Sequence, residues 1–140
     1  MQEMQQTAKN KKPEGFGTTA LAPEFREGQA LIWKRREDGE LETNVRWRVR
    51  HHSPTGFEVG YSGSGPADLA LNAMASLFPM SRGENADPVE CFDGNVSRTA
   101  WHHHQPFKFA FLTGADKLQG RIEWATIRAW PDEKGEPKGE

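Results

Sequence analysis

The run from Gly56 to Phe78, GFEVGYSGSGPADLALNAMASLF, constrains this chain more than any other segment. A short apolar stretch, Phe57 to Tyr61, leads into three glycines within six residues (Gly60, Gly63, Gly65), and Pro66 then opens an amphipathic segment. That order predicts a strand, a flexible turn and a helix start. Pro66 suits the first helical position, Gly65 or Ser64 the cap, and Asp68 the first turn. Leu69, Ala70, Ala73, Met74 and Leu77 share one face at helical spacing, and Pro79 ends the helix because the residue before a proline avoids the helical region. Such a corner leaves backbone N–H groups aimed outward, a ready site for an anion or for a partner's carbonyls.

Around this corner the pattern is that of a small sheet. Ala30 to Arg36 reads as a strand, Asp38-Gly39 as a hairpin turn, and Leu41 to Arg50 as a second strand. Leu41, Thr43, Val45, Trp47 and Val49 alternate with Glu42, Asn44, Arg46, Arg48 and Arg50, the period of a strand with one buried face. His51 to Gly56 is a turn and Phe57 to Tyr61 a third strand. Residues 80 to 95 read as a long surface loop, residues 96 to 112 as a helix interrupted at Pro106, and Arg121 to Trp130 as a final strand. The expected architecture is α+β: a small antiparallel sheet of about four strands with two helices packed on one face. Residues 16–130 form the single domain expected, between polar tails at 1–15 and 131–140 that lack the apolar side chains to offset chain entropy. At 140 residues the domain buries roughly 70% of its unfolded surface, enough for a core without staples.

Each candidate site carries an alternative. The glycine corner lacks the Lys and Ser or Thr of a nucleoside-triphosphate loop, and the third glycine and acid of a dinucleotide fingerprint. It retains the amides from Ser62 to Ala67 and the hydroxyls of Tyr61, Ser62 and Ser64. Asp68 complements the helix dipole and would repel a phosphate, so a purely structural turn is the other reading. His102-His103-His104, with His51, His52 and Cys91, raises the question of a metal. Consecutive helical histidines diverge by about 100° and neither an i, i+4 pair nor a C-x-x-C knuckle is present, so no metal is expected, a two-histidine site borrowing from another segment being the exception. Five histidines would still make binding pH-sensitive near neutrality. Arg46, Arg48 and Arg50 form a basic row that could touch nucleic acid or a partner, against interleaved Glu37, Asp38, Glu40 and Glu42 that favour a solvated face of ion pairs. No nucleophile with its base stands out, and nothing asks for an enzyme or a cofactor.

The net charge of −2 implies no global attraction to nucleic acid or anionic membrane, and one cysteine excludes an internal disulfide and fits a reducing compartment. No apolar run is long enough to span a bilayer and the N-terminus has no secretory pattern, so the cytoplasm is the expected location.

The segments His52-Ser53-Pro54-Thr55-Gly56-Phe57-Glu58, Gly60-Tyr61-Ser62-Gly63-Ser64-Gly65-Pro66-Ala67, Leu69-Ala70-Leu71 and Gln105-Pro106-Phe107-Lys108 together resemble a family of small phage, prophage and plasmid proteins grouped as a domain of unknown function. The resemblance spans about residues 45 to 112. This chain differs in carrying Pro106 inside the last motif, the histidine run before it, a longer intervening loop and a further strand after it. The resemblance implies an accessory protein of a mobile element, working by binding inside a bacterial host. The reading that follows is a pocket for a small anionic or nucleotide-like ligand, lined by His52, Ser53, Tyr61, Ser62, Gly63, Ser64, Gly65, Gln105 and Lys108, with Lys108 supplying the positive charge. The alternatives are an anti-defence inhibitor that docks on a host protein, as anti-CRISPR proteins do, and a nucleic-acid module using Arg46, Arg48 and Arg50. Self-association through a sheet edge is a further expectation.

Overall fold

The computed structural model describes residues 23–53, 56–80 and 89–133. The expected N-terminal tail, residues 134–140 of the C-terminal one, Pro54-Thr55 and part of the expected loop, residues 81–88, lie outside them. The chain is α+β, as its patterning predicts. In order it forms β1 (Leu31–Arg35), β2 (Leu41–Thr43), α1 (Ser64–Leu77), β3 (Val89–Cys91), β4 (Gly94–Val96), α2 (Arg98–Phe107), a wide helical turn (Lys108–Leu112), β5 (Gln119–Ile122) and α3 (Trp124–Glu133).

The strands divide between two small antiparallel sheets, one of order β2-β1-β5 and one hairpin, β3-β4. The Asp38-Gly39 turn closes β1 on β2, with Gly39 at φ +90° and Trp33 opposite Thr43. β5 lies antiparallel on the other side of β1, placing Gly120 opposite Trp33. A Cβ at Gly120 would collide with the Trp33 indole, so that position needs a glycine for close approach.

Three expected strands need correction. The alternation from Leu41 to Val49 describes burial faithfully, since Leu41, Thr43, Val45, Trp47 and Val49 all point inward. The ladder nevertheless stops at Thr43. Asn44 is buried too, and its side chain bonds the Ile32 N–H (3.0 Å) and the carbonyls of Pro23 and Ala30 (2.8 and 2.9 Å), taking the place of strand partners. Phe57–Tyr61 forms no strand; Gly60 N–H donates to Leu112 O (2.9 Å) and Glu58 pairs with Arg35 (2.8 Å). From Trp124 the last expected strand is a helix: Trp124, Ile127 and Trp130 recur every three residues, and Ile127 and Trp130 are buried. That spacing satisfies a helix as well as the alternation satisfied a strand, and packing on the core decides. Within the expected loop, residues 89–96 form the β3-β4 hairpin, which turns at Phe92-Asp93 with Gly94 at φ +117°.

The helices follow their signals more closely. α1 starts at Ser64 with Gly63 as its cap residue, earlier than Pro66, which leaves Asp68 beyond the first turn. Leu69, Ala70, Ala73 and Met74 are buried as expected, and Leu71 joins them; each fully buried Leu or Met side chain contributes about 1.5–3 kcal/mol. α2 is capped by Ser97, whose Oγ accepts from the Ala100 N–H (3.0 Å). Pro106 sits inside α2, and the chain then loosens to a wider spacing, with the Thr113 N–H donating to Lys108 O (3.0 Å).

α1 does more than bury apolar surface. Asn72, fully buried, accepts from the Arg48 and Val49 amides (2.5 and 2.9 Å) and donates to the carbonyls of Val49 and Asp68 (2.8 Å each). Asp68, 1% exposed, accepts from the amides of His51 (3.2 Å), His52 (2.9 Å) and Ser53 (2.9 Å). These two residues, one helical turn apart, serve the amides of Arg48, Val49, His51, His52 and Ser53, while Arg50 between them pairs with Asp93 through an isolated antiparallel bridge (Arg50 N–H to Asp93 O, 3.0 Å). Asn72→Ala orphans buried donors and an acceptor, so urea unfolding is expected to show a loss of about 3 kcal/mol. An Asn72→Ala protein as stable as the parent would mean that water serves these groups equally well.

Candidate functional site

The Asp68 clamp holds the His51–Ser53 turn against α2. On α2, Trp101 and His104 lie three residues apart and so share a face. His104 Nδ1 bonds its own helix at Trp101 O (2.6 Å), and its Nε2 meets His52 Nε2 at 3.1 Å. A carbonyl only accepts, so the His104 Nδ1 carries a proton and its Nε2 offers a lone pair; His52 therefore donates from Nε2. Rings close the cluster. His51 stands edge-on to both His52 (4.5 Å) and Trp101 (5.0 Å), while Trp101 packs on His104 at 4.7 Å. Exposure falls inward, from exposed His51 through half-buried His52 and Trp101 to His104 at 1%.

Burial dominates the electrostatics. It holds His104 down to about 4; the Trp101 carbonyl works the other way, and His52, His51 and Lys108 add repulsion to the protonated form. His52 is lowered for the same reason, burial first, with Asp68 opposing and then His51 and Lys108 reinforcing. Both rings are thus neutral near pH 7. Lys108 begins the wide turn that follows α2; it is 6% exposed, and its Nζ lies 4.2 Å over the Phe109 ring. Among the described residues no carboxylate comes within ion-pair distance of it.

The structure therefore brings His52 and Lys108 into one electrostatic neighbourhood, as the sequence reading grouped them. Ser53 is buried beneath, its N–H on Asp68 and its Oγ accepting from Gly56 N–H (3.2 Å). Gln105 is half-buried and follows His104. The glycine corner stands apart: among the described residues no hydrogen bond or ring contact joins Tyr61, Ser62, Gly63, Ser64 or Gly65 to His52 or Lys108. Each glycine there admits a neighbour. A Cβ at Gly60 (φ +93°) would strike the Lys117 stem, one at Gly63 the Tyr61 ring, and one at Gly65 the Glu58 side chain at 2.6 Å. Glu58 in turn pairs with Arg35 at 2.8 Å. Gly65, Pro66 and Ala67 are buried, Ser62 and Ser64 exposed, and the first α1 bond runs from Ala67 N–H to Gly63 O (3.1 Å). Asp68 spends its carboxylate on the neighbouring turn and faces away from the role of dipole partner.

The arginine row is largely compensated. Arg46 and Arg48 both reach Glu24 (3.9 and 3.1 Å), and Arg48 Nε also meets Ser76 Oγ (3.2 Å). Arg50 lies 3.9 Å from Asp93 and 4.6 Å over the Phe92 ring. Sequence reasoning missed Asp68 and Asn72 as amide acceptors, and missed the pairing of Trp101 with His104. The spacing Trp101, His104, Phe107 and Lys108 was the available signal, because it marks one inward face that the eye-catching run of three histidines conceals.

His104 makes stability depend on pH, and the sign is determined by the direction of its displacement. Unfolded, it takes a proton near 6.5; folded, only near 4. Above that window neither state is charged there. As pH falls through it, the unfolded chain binds the extra proton first, so stability declines and then levels once both states are protonated, a total of about 3 kcal/mol. Denaturant titrations between pH 7 and pH 4 are expected to show that decline, and to show it much reduced in His104→Gln. An equal decline in both proteins would assign it to other groups.

No curated protein and no solved structure matches the chain. Among the described residues no helix is long and apolar enough to cross a membrane. Residues 24–87, just under half of the chain, match the model of a family described as "Family of unknown function (DUF6166)". The match starts well before the stretch that the resemblance covered and ends before Gln105. The segment that carries the glycine corner, the His51–Ser53 turn and the Asp68–Asn72 clamp is thus similar to this family of unknown function, while the helix that presents His104 and Lys108 lies beyond the match.

Proposed function

We propose that this chain is a non-catalytic binding module that takes a small anionic ligand, phosphate-bearing or nucleotide-like, beside Lys108. The setting of the Lys108 ammonium carries the reading. The residue is 6% exposed, its Nζ lies over the exposed Phe109 ring, and it meets no carboxylate among the described residues. A cation without a carboxylate partner is open to a charge-assisted bond from a bound anion. Neutral His52 and His104 add no charge beside it, their N–H groups already given, His52 Nε2 to His104 and His104 Nδ1 to Trp101 O, so the anion's charge falls to Lys108. The glycine corner enters only through the bond from Gly60 to Leu112, which ties it to the end of the Lys108 turn. Such a binder would suit an accessory protein of a phage or other mobile element that withdraws a signalling nucleotide from host defence in the cytoplasm.

A second reading rests on Phe92 and Phe109, 75% and 60% exposed, each with a cation over its ring. Aromatic and arginine side chains are the residue types that most often carry binding energy, so these would anchor a host effector protein. The Arg46, Arg48 and Arg50 row, held by Glu24 and Asp93, supports nucleic acid less well. The outer edges of β2 and β5 are where a second copy would add.

Thermal unfolding in chelator-containing buffer, against inorganic phosphate and a panel of linear and cyclic nucleotides, separates these readings. A ligand at a hundredfold excess over its Kd adds about 2.7 kcal/mol of stability, several degrees in Tm for a chain of this size. Lys108→Met is expected to abolish that rise. No rise with any member of the panel removes the anion reading; a stoichiometric host protein retained by the chain and lost on Phe92→Ser or Phe109→Ser would put docking in its place.

A further inference from the structure

We propose that His52 and His104 form a two-histidine site for a borderline divalent cation, Zn2+, Ni2+ or Cu2+, distinct from the anion reading above. Their Nε2 atoms face each other across 3.1 Å. Two imidazoles on one tetrahedral zinc, each with a Zn–N bond of about 2.0–2.1 Å, stand about 3.3 Å apart, so the pair needs only a small opening to admit an ion. The second requirement of a ligating histidine is a bond from its other nitrogen that holds the ring. His104 has it already, Nδ1–H to Trp101 O at 2.6 Å.

The charges around the pair come from three elements. Asp68 on α1, fixed by the His51, His52 and Ser53 amides, favours positive charge at His52. His51 on the same turn and Lys108 after α2 oppose it, and for His52 both rank below Asp68. In the tautomers that these bonds require, His52 carries its proton on Nε2, so loading moves that proton to Nδ1 and frees the second lone pair, with no net proton release. Among the described residues no third His, Cys, Asp or Glu joins the set, which leaves the remaining positions to water or to an anion. Imidazole nitrogen suits Zn2+, Ni2+ and Cu2+ and not Mg2+ or Ca2+. Half-buried His52 forms the side open to solvent. The run of three histidines contributes one member only, since His103 packs on Phe78 and Trp130 and His102 is exposed.

Calorimetric titration of the metal-stripped full chain with Zn2+ and with Ni2+, alongside imidazole 15N spectra, tests the site. One ion per chain is expected, with shifts at the nitrogens of two histidines and no heat from Mg2+. His52→Gln and His104→Gln are each expected to weaken binding at least about tenfold. Circular dichroism checks that both variants fold, and the half-exposed His52 decides the matter alone if His104→Gln does not. Absence of Zn2+ and Ni2+ binding, or undiminished binding in His52→Gln, overturns the proposal. The titration contains no anionic ligand and the nucleotide panel is run with chelator, so either reading can fail without the other.

Discussion

The bonds that Asp68 and Asn72 make from α1 to the segment 48–53 are the interactions on which the arrangement rests. Apart from one bridge, where Arg50 exchanges backbone bonds with Asp93 in the β3-β4 turn, that segment has no strand beside it, so its other amides need side-chain partners. A carboxylate and a carboxamide one helical turn apart supply them, and the Asn72 amide also ties back to Asp68 O. Removing either residue would leave buried donors stranded, which is the most expensive kind of local change in a small domain. The same bonds place His52. Without them the turn has no reason to face α2, and the His52–His104 contact would not form.

Around that contact the polar groups are held neutral or paired by position rather than by charge density. His104 is buried and bonded to its own helix, His52 completes the pair from the half-buried side, and Lys108 stands just beyond on an aromatic ring. The exposed surface is treated differently. Arg35, Arg46, Arg48 and Arg50 each have a carboxylate within 4 Å, so the basic residues most visible in the sequence are the ones with least unspent charge.

Much of the fold was legible in the residues. The Asp38-Gly39 hairpin, the inward set Leu41, Thr43, Val45, Trp47 and Val49, the apolar stripe of α1 and its end before Pro79 all follow from local chemistry and period. What failed was the step from alternation to ladder. Alternation reports which side chains are buried, and Val45, Trp47 and Val49 are buried without strand pairing because Asn44 and Asn72 serve the backbone instead. Trp124, Ile127 and Trp130 satisfied two periods at once, and only the core could choose between them. Of the grouped site residues, His52 meets His104, one helical turn before Lys108, whereas the glycines from Gly60 to Gly65 spend their small size on admitting Lys117, Tyr61 and Glu58.

By itself the sequence determined the α+β class, the Asp38-Gly39 turn, the end of α1 before Pro79 and the inward faces of Leu41–Val49 and α1, because those depend on neighbours within a few positions. Only the tertiary structure decided that one histidine of a run of three meets another 52 positions away, that Asp68 clamps a turn rather than answering a helix dipole, and that Lys108 lies largely buried with no carboxylate beside it among the described residues. Those facts depend on which elements meet in space, and no local period or propensity encodes the meeting.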